Sequence, residues 1–264
     1  MAGAYIGTSG WNYRHWRGNF FPNDLPSKDW LRFYADRFDT VEINYTFYRL
    51  PSKESCKAWY QQTPENFRFA VKASRYITHI KRLRNARESW NGFLERVLIL
   101  KEKLGPILLQ FPSTFRASAE NLQRVDEFLG YAGRARSHRL ALEFRDRSCF
   151  EKEMLSVLRR HRAALVIPQS ARYPEPEITA TSDFAYFRFH GPEAMFASSY
   201  SDAALAGWAN KMNGFIRSRR DVYAYFNNDT GGHAPRDAQT LLSKLHSERS
   251  EPHRGAKKNF LVSV

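Results

Sequence analysis

The sequence predicts a single (β/α)8 TIM barrel of the α/β class, on three observations. Eight short apolar segments recur along 264 residues, helix-like stretches separate most of them, and most end in a polar or charged residue where a strand should give way to a loop. The expected strands are Ala4–Thr8, Thr40–Asn44, Phe67–Lys72, Ile107–Gln110, Leu140–Arg145, Ala163–Ile167, Phe184–His190 and Val222–Asn227. The length is close to the roughly 250 residues typical of such a barrel.

The connecting helices follow from apolar residues at helical spacing. Ser27 opens a run with Trp30, Leu31, Tyr34 and Phe38 inward, and a second helix spans about 53–62, ended by Pro64. A third uses Phe93, Leu94, Val97, Leu98 and Leu104 and stops at Gly105-Pro106. Leu122, Val125, Phe128 and Leu129 mark the fourth, and Met154, Leu155 and Leu158 the fifth. Ser201-Asp202 caps a long helix with Leu205, Trp208, Met212 and Phe215 inward, and the last begins near Pro235. Between Ile167 and Phe184 stand three prolines and no convincing helix, so the sixth βα unit is expected to be irregular. Residues 1–246 are assigned to one barrel domain and 247–264 to a basic C-terminal tail, from which Phe260, Leu261 and Val262 dock back.

No run of about 18 apolar residues exists to span a membrane, and the first strand starts too close to Met1 for a leader. With two cysteines, Cys56 and Cys149, and no disulfide framework, a cytoplasmic location is expected. The charge is less ordinary. Lys plus Arg is 41 against 27 for Asp plus Glu, a formal +14, and such a surface attracts polyanions. The expected partner is a phosphate-bearing ligand or nucleic acid rather than a membrane; a generally Arg-rich host is the plain alternative.

Side chains two apart on a strand share a face. Glu42 with Asn44, Glu143 with Arg145, and Tyr186, Arg188 and His190 therefore form polar sets, joined by Lys72 and Gln110 at the ends of two more strands. In a barrel these converge on the mouth, where the active site lies. Lys72, Arg145 and Arg188 would take phosphate, while Asn44, Gln110, Asn227 and Asn228 would hydrogen-bond sugar or base edges. Trp11 and Tyr48 could stack, and Glu42 and Asp229 complete the expected ligand-binding set. If the protein is an enzyme, Glu143 is the candidate base and His190 the acid, with Lys72 stabilising developing negative charge. The alternative is that Glu143 with Arg188, or Glu42 with Lys72, are buried salt bridges that tie the barrel together.

The stretch Lys72–Arg87 carries six Lys and Arg and no acid, so Arg75, His79, Lys81 and Arg82 are candidate phosphate or nucleic-acid contacts. Trp11, Tyr13, Trp16, Tyr45, Phe47, Tyr48, Phe111 and Phe115 lie on neighbouring mouth loops, as stacking partners or as loop core. No His-x-His, His-Glu-x-x-His or Cys-x-x-Cys spacing occurs, and no Gly-x-Ser-x-Gly elbow or phosphate-cradling Gly-rich loop. No metal and no cofactor is expected. Cys149 follows a strand end but has no activating neighbour in sequence.

The ordered motifs Ile6-Gly-Thr-Ser-Gly-Trp11, Glu42-Ile-Asn-Tyr-Thr-Phe-Tyr48, Phe69-Ala-Val-Lys72 with Ile77-Thr-His79, Leu109-Gln-Phe-Pro112, Glu143-Phe-Arg145, Arg188-Phe-His-Gly191 and Tyr225-Phe-Asn-Asn-Asp229 resemble the YecE-like family, domain of unknown function 72. The resemblance covers nearly the whole chain and implies a TIM barrel, distantly similar to those of apurinic endonucleases and sugar isomerases; it implies no settled activity. Two positions depart from the family pattern: Ser148-Cys149 stands where Ser-Trp is expected, and Pro168-Gln169 stands where an acidic residue is common. The metal ligands of those distant enzymes have no counterpart here. A phosphate-bearing ligand, with acid/base hydrolysis, is thus the first expectation. A metal-independent hydrolase or isomerase of a small sugar or acid, or a non-catalytic scaffold, is the alternative.

Overall fold

Eight parallel strands run round one sheet in the order β1-β8-β7-β6-β5-β4-β3-β2, in a computed structural model that describes residues 2–133 and 138–250. They are β1 (Ala4–Thr8), β2 (Thr40–Ile43), β3 (Arg68–Lys72), β4 (Leu104–Gln110), β5 (Leu140–Glu143), β6 (Ala164–Gln169), β7 (Phe184–Phe189) and β8 (Asp221–Phe226). The eight predicted strands are all present, displaced by a few residues at most. The largest displacement is at β4, which begins at Leu104: this residue continues the apolar period of the preceding helix up to Gly105-Pro106, yet it is the first residue of the strand.

Helices α1 (Trp30–Ala35), α2 (Tyr45–Tyr48), α3 (Lys53–Gln61), α4 (Arg87–Val97), α5 (Ala119–Ala132), α6 (Lys152–Arg160), α7 (Asp202–Arg217) and α8 (His233–Ser250) surround the sheet. Ser52, Ser118 and Ser201 each accept a hydrogen bond from the third residue on, satisfying one otherwise unpaired N–H at the starts of α3, α5 and α7. Ser27 makes no such cap; it opens a 3-10 turn ahead of α1. α8 continues through Ser250, into the segment assigned to the tail; the expected docking of Phe260 lies outside the described residues.

No helix joins β6 to β7, as the prolines predicted. The connection is instead pinned by Thr181, whose hydroxyl accepts from Leu165 N at 2.8 Å and donates to Ala163 O at 2.7 Å. β1 and β2 share only the single bridge Ser9↔Glu42, so this is where the barrel closes. The Tyr34 hydroxyl fills the seam, accepting from Thr8 N at 2.9 Å and donating to Thr40 O at 3.0 Å. Gly7 faces the same seam: a Cβ there would lie 2.3 Å from Thr40 O, so only glycine lets the strands approach.

Side-chain alternation divides the core in two. Ala70, Leu108, Ala141, Ala164, Val166, Phe184, Tyr186, Tyr223 and Tyr225 fill the barrel interior, with alanines on one arc and rings on the other. Val41, Phe69, Leu109, Leu142 and Phe187 pack outward against residues such as Phe93, Phe128, Met154 and Trp208 of the helices. None of the described helices is long and apolar enough to cross a membrane.

Candidate functional site at the barrel mouth

The strand ends set the site. Glu42 of β2, Glu143 of β5 and Arg188 of β7 point to the axis at the C-terminal end, and all three are buried. Three charges in an apolar barrel are tolerable only if mutually paired. Arg188 supplies the pairing: Nη2 donates to Glu42 Oε1 at 2.7 Å, Nε to Glu42 Oε2 at 2.9 Å, and Nη1 to Glu143 Oε2 at 2.6 Å. Ser9 Oγ and Tyr186 OH each donate to Glu42 at 2.7 Å. Arg145 Nε reaches Glu143 Oε1 at 3.3 Å, while its Nη1 donates to Tyr173 OH at 3.0 Å.

Above this layer opens a cavity of about 550 Å³. Asn44, Tyr48, Lys72, Arg75, His79, Gln110, Arg145, Arg188, Asn227 and Asp229 line it, together with Tyr13, Phe47 and Phe196. His79 is carried in by a π-helical turn, Tyr76–Ile80, that directly follows the β3 loop; such turns recur at functional sites.

Burial and neighbouring charge shape the protonation of the site. The Lys72 ammonium is pushed down to about 7, first by burial and then by the Arg188 guanidinium, against the pull of Glu143 and Glu42. Its Nζ sits 4.2 Å from the centre of the Phe47 ring. His79 is pushed down to about 4 by burial and by Lys72 and Arg145, so it is neutral at neutral pH. Burial raises the Asp229 carboxyl, which also lines the cavity, against the opposing pull of a backbone N–H and of His15. For Glu143 burial works against the charge, but Arg188, Arg145, His190 and Lys72 outweigh it and hold the carboxyl well below the usual range.

Several expectations are corrected. Arg188 faces the cavity but spends its guanidinium on Glu42 and Glu143, so it organises the floor rather than offering itself to phosphate. The alternative of a structural ion pair therefore applies to Glu143 with Arg188; Glu42 pairs with Arg188 and not with Lys72. Glu143 is fully buried and strongly held as a carboxylate, which makes it a poor base. His190 is fully buried with its Nδ1 3.1 Å from Asn227 Nδ2, and burial with Arg188 pushes it down to about 3, so it is a neutral imidazole and not an imidazolium acid at neutral pH. Trp11 packs edge-on against Trp59 instead of lining the cavity. Asn228 is buried and donates to Ser198 O and Asp237. Lys81 donates to Asn85 O and Arg82 to Thr114, turning the centre of the basic loop back onto the protein. Trp16, Phe111 and Phe115 are fully buried and belong to the loop core.

Three contributors escaped the sequence reading as ligand contacts. Tyr13 and Phe47 were visible among the mouth aromatics, but nothing separated wall from core. Phe196, 40% exposed with φ +66, comes from the loop after β7, which has no periodic pattern to place it. Cys149 is buried and its thiol is pushed up to about 12 by burial, in keeping with an inert side chain. Among the described residues no three His, Cys, Asp or Glu side chains are grouped to hold a metal ion.

A family model described as "Protein of unknown function DUF72" matches residues 5–259. The chain belongs to the DUF72 family. This DUF72 chain is 26% identical to the UPF0759 protein YunF of Bacillus subtilis, an alignment covering 93% of the chain and 96% of that protein. It is 34% identical to the UPF0759 protein YecE of Escherichia coli K12 over 111 residues, 42% of the chain and 38% of YecE. The crystal structure of a DUF72 family protein from Thermotoga maritima matches with a TM-score of 0.80 at 29% identity, covering 92% of this chain and 99% of that one. The barrel and its charged mouth thus belong to a DUF72 protein.

Proposed function

We propose that the barrel mouth binds a small phosphate-bearing ligand of nucleotide type, with phosphate on Arg75 and Arg145 and the ring system against Tyr48. The observation that carries this reading is the convergence of Arg75, Lys72 and Arg145 on one cavity whose lining includes a single carboxylate, Asp229. Arg75 is exposed and makes no hydrogen bond or ion pair among the described residues, so its five N–H groups are free for an anion. The volume of about 550 Å³ falls in the range of small-ligand sites. Asn44 Oδ1 is buried without a partner and lies on the same wall, an acceptor that a ligand N–H or O–H would satisfy. Tyr48, 74% exposed, offers an open ring face.

A small ligand is favoured over duplex nucleic acid because the basic loop is not a free stripe. Lys81 and Arg82 are engaged by Asn85 O and Thr114, and Arg84 pairs with Glu120 at 3.2 Å. The test is competitive binding of AMP, ribose 5-phosphate and a short duplex with an abasic site, at near-physiological salt. AMP should bind more tightly than ribose 5-phosphate, and Tyr48→Ala should erase that difference. A duplex that outcompetes AMP, with Tyr48→Ala inert, would overturn the reading.

A further inference from the structure

We propose that Lys72 is an imine-forming nucleophile, and that the ligand class of the mouth includes phosphorylated aldehydes whose carbonyl reaches its Nζ. The inference rests on the anion site proposed above and adds a covalent chemistry to it. Lys72 ends β3 on the barrel wall with 8% of its surface exposed, and its Nζ faces the cavity. That nitrogen makes no hydrogen bond or ion pair among the described residues, in contrast to Lys103, also buried, whose Nζ donates to Tyr60 O and Thr63 O at 2.6 Å each. A buried ammonium left without acceptors costs far more than a neutral amine in the same place. The two carboxylates that could have paired with it, Glu42 and Glu143, are already bound to Arg188.

The groups facing it bear this out. Arg188 and Arg145 repel its proton, Glu42 and Glu143 attract it, the neutral His79 shares the Phe47 ring with it, and burial is the largest influence. The balance lowers Lys72 to about 7, so a substantial fraction is free amine at neutral pH. Schiff-base lysines are activated by desolvation or by a neighbouring cation, and Lys72 has both.

The step balances without a co-reactant. The Nζ lone pair attacks the aldehyde carbon as the carbonyl π pair moves to oxygen, and a proton passes from nitrogen to that oxygen. The carbinolamine then takes up one proton and loses water, leaving an iminium. Asp229, on the same cavity wall with its carboxyl raised by burial, is the candidate donor of that proton. The phosphate meanwhile rests on Arg75 and Arg145.

The experiment incubates the full chain with glycolaldehyde phosphate at neutral pH, reduces any iminium with borohydride, and maps the adduct by peptide mass spectrometry. Lys72 should be labelled at least about tenfold faster than exposed lysines such as Lys53 and Lys101. Inorganic phosphate should slow the labelling, and Lys72→Arg should abolish it. Because the site is mapped on the unaltered protein, the result does not depend on how the variant folds. Labelling confined to exposed lysines would overturn the proposal. So would saturable binding of glycolaldehyde phosphate without trapping, and that outcome would leave the anion site standing. Equal trapping of glycolaldehyde and its phosphate, insensitive to inorganic phosphate, would uphold the lysine and remove the anion site.

Discussion

Two cations at the barrel mouth have opposite tasks. Arg188 is locked between two carboxylates, and replacing it by Met would bury them uncompensated. Chemical denaturation should show a loss of about 3–5 kcal/mol for Arg188→Met. The Arg75 side chain makes no hydrogen bond or ion pair among the described residues, and Arg75→Ala should change stability by less than about 0.5 kcal/mol while weakening phosphate binding. Lys72 gives a signature in pH. Its folded-state value of about 7 lies below the ordinary 10.5, so the unfolded chain binds the extra proton between those limits. Stability of the wild type relative to Lys72→Met should therefore rise with pH from about 7 to 10.5, at up to about 1.4 kcal/mol per pH unit. Denaturation midpoints of the two proteins across that window, converted to free energies, check the sign. At this scale the sequence showed which residues meet, because strand alternation brings Glu42, Glu143, Arg188 and Lys72 to one end. It offered the Glu143–Arg188 pair as an alternative but matched Glu42 with Lys72 instead of Arg188. Arg188 and Lys72 look alike on paper, and only the reach of a guanidinium across the barrel axis assigns both glutamates to one and neither to the other.

The elements were legible wherever period and punctuation agreed. β1, β7 and the Ser201 cap of α7 announce themselves, and three prolines correctly removed the helix after β6. The error at Leu104 arose because an apolar period crossed a helix end and a strand start without interruption. The seam between β1 and β2 was invisible, since nothing in a single strand reveals that its ladder is replaced by a side chain. That seam gives a direct prediction. Tyr34→Phe removes the hydroxyl that serves Thr8 N and Thr40 O, leaving two buried backbone groups unpaired. It should cost about 1–3 kcal/mol in denaturant unfolding, a large effect for one oxygen. A change below a few tenths would mean that the strands close up without it.

At the scale of the molecule, the buried polar floor makes the fold acid-sensitive. His190 is neutral when folded down to about pH 3, while the unfolded chain protonates it near its ordinary 6.5, so stability declines as pH falls through that window. Glu143 acts in the same direction: its contribution is complete above the ordinary 4.5 and drains away below it, as the unfolded chain takes up a proton that the fold refuses. Thermal unfolding should show Tm falling from about pH 6.5 and steepening below 4.5, and His190→Asn should remove the upper part of that decline. The formal charge of +14 predicts attraction to any polyanion, and that pull is not the site. Binding in the mouth must survive salt and depend on the two arginines. The measurement that decides this is calorimetric titration of AMP at near-physiological salt into the wild type, Arg75→Ala and Arg145→Gln. A saturable one-site isotherm that weakens about tenfold or more in each variant is the predicted result. Heat that vanishes with modest salt, or an isotherm that both variants reproduce unchanged, would contradict the account.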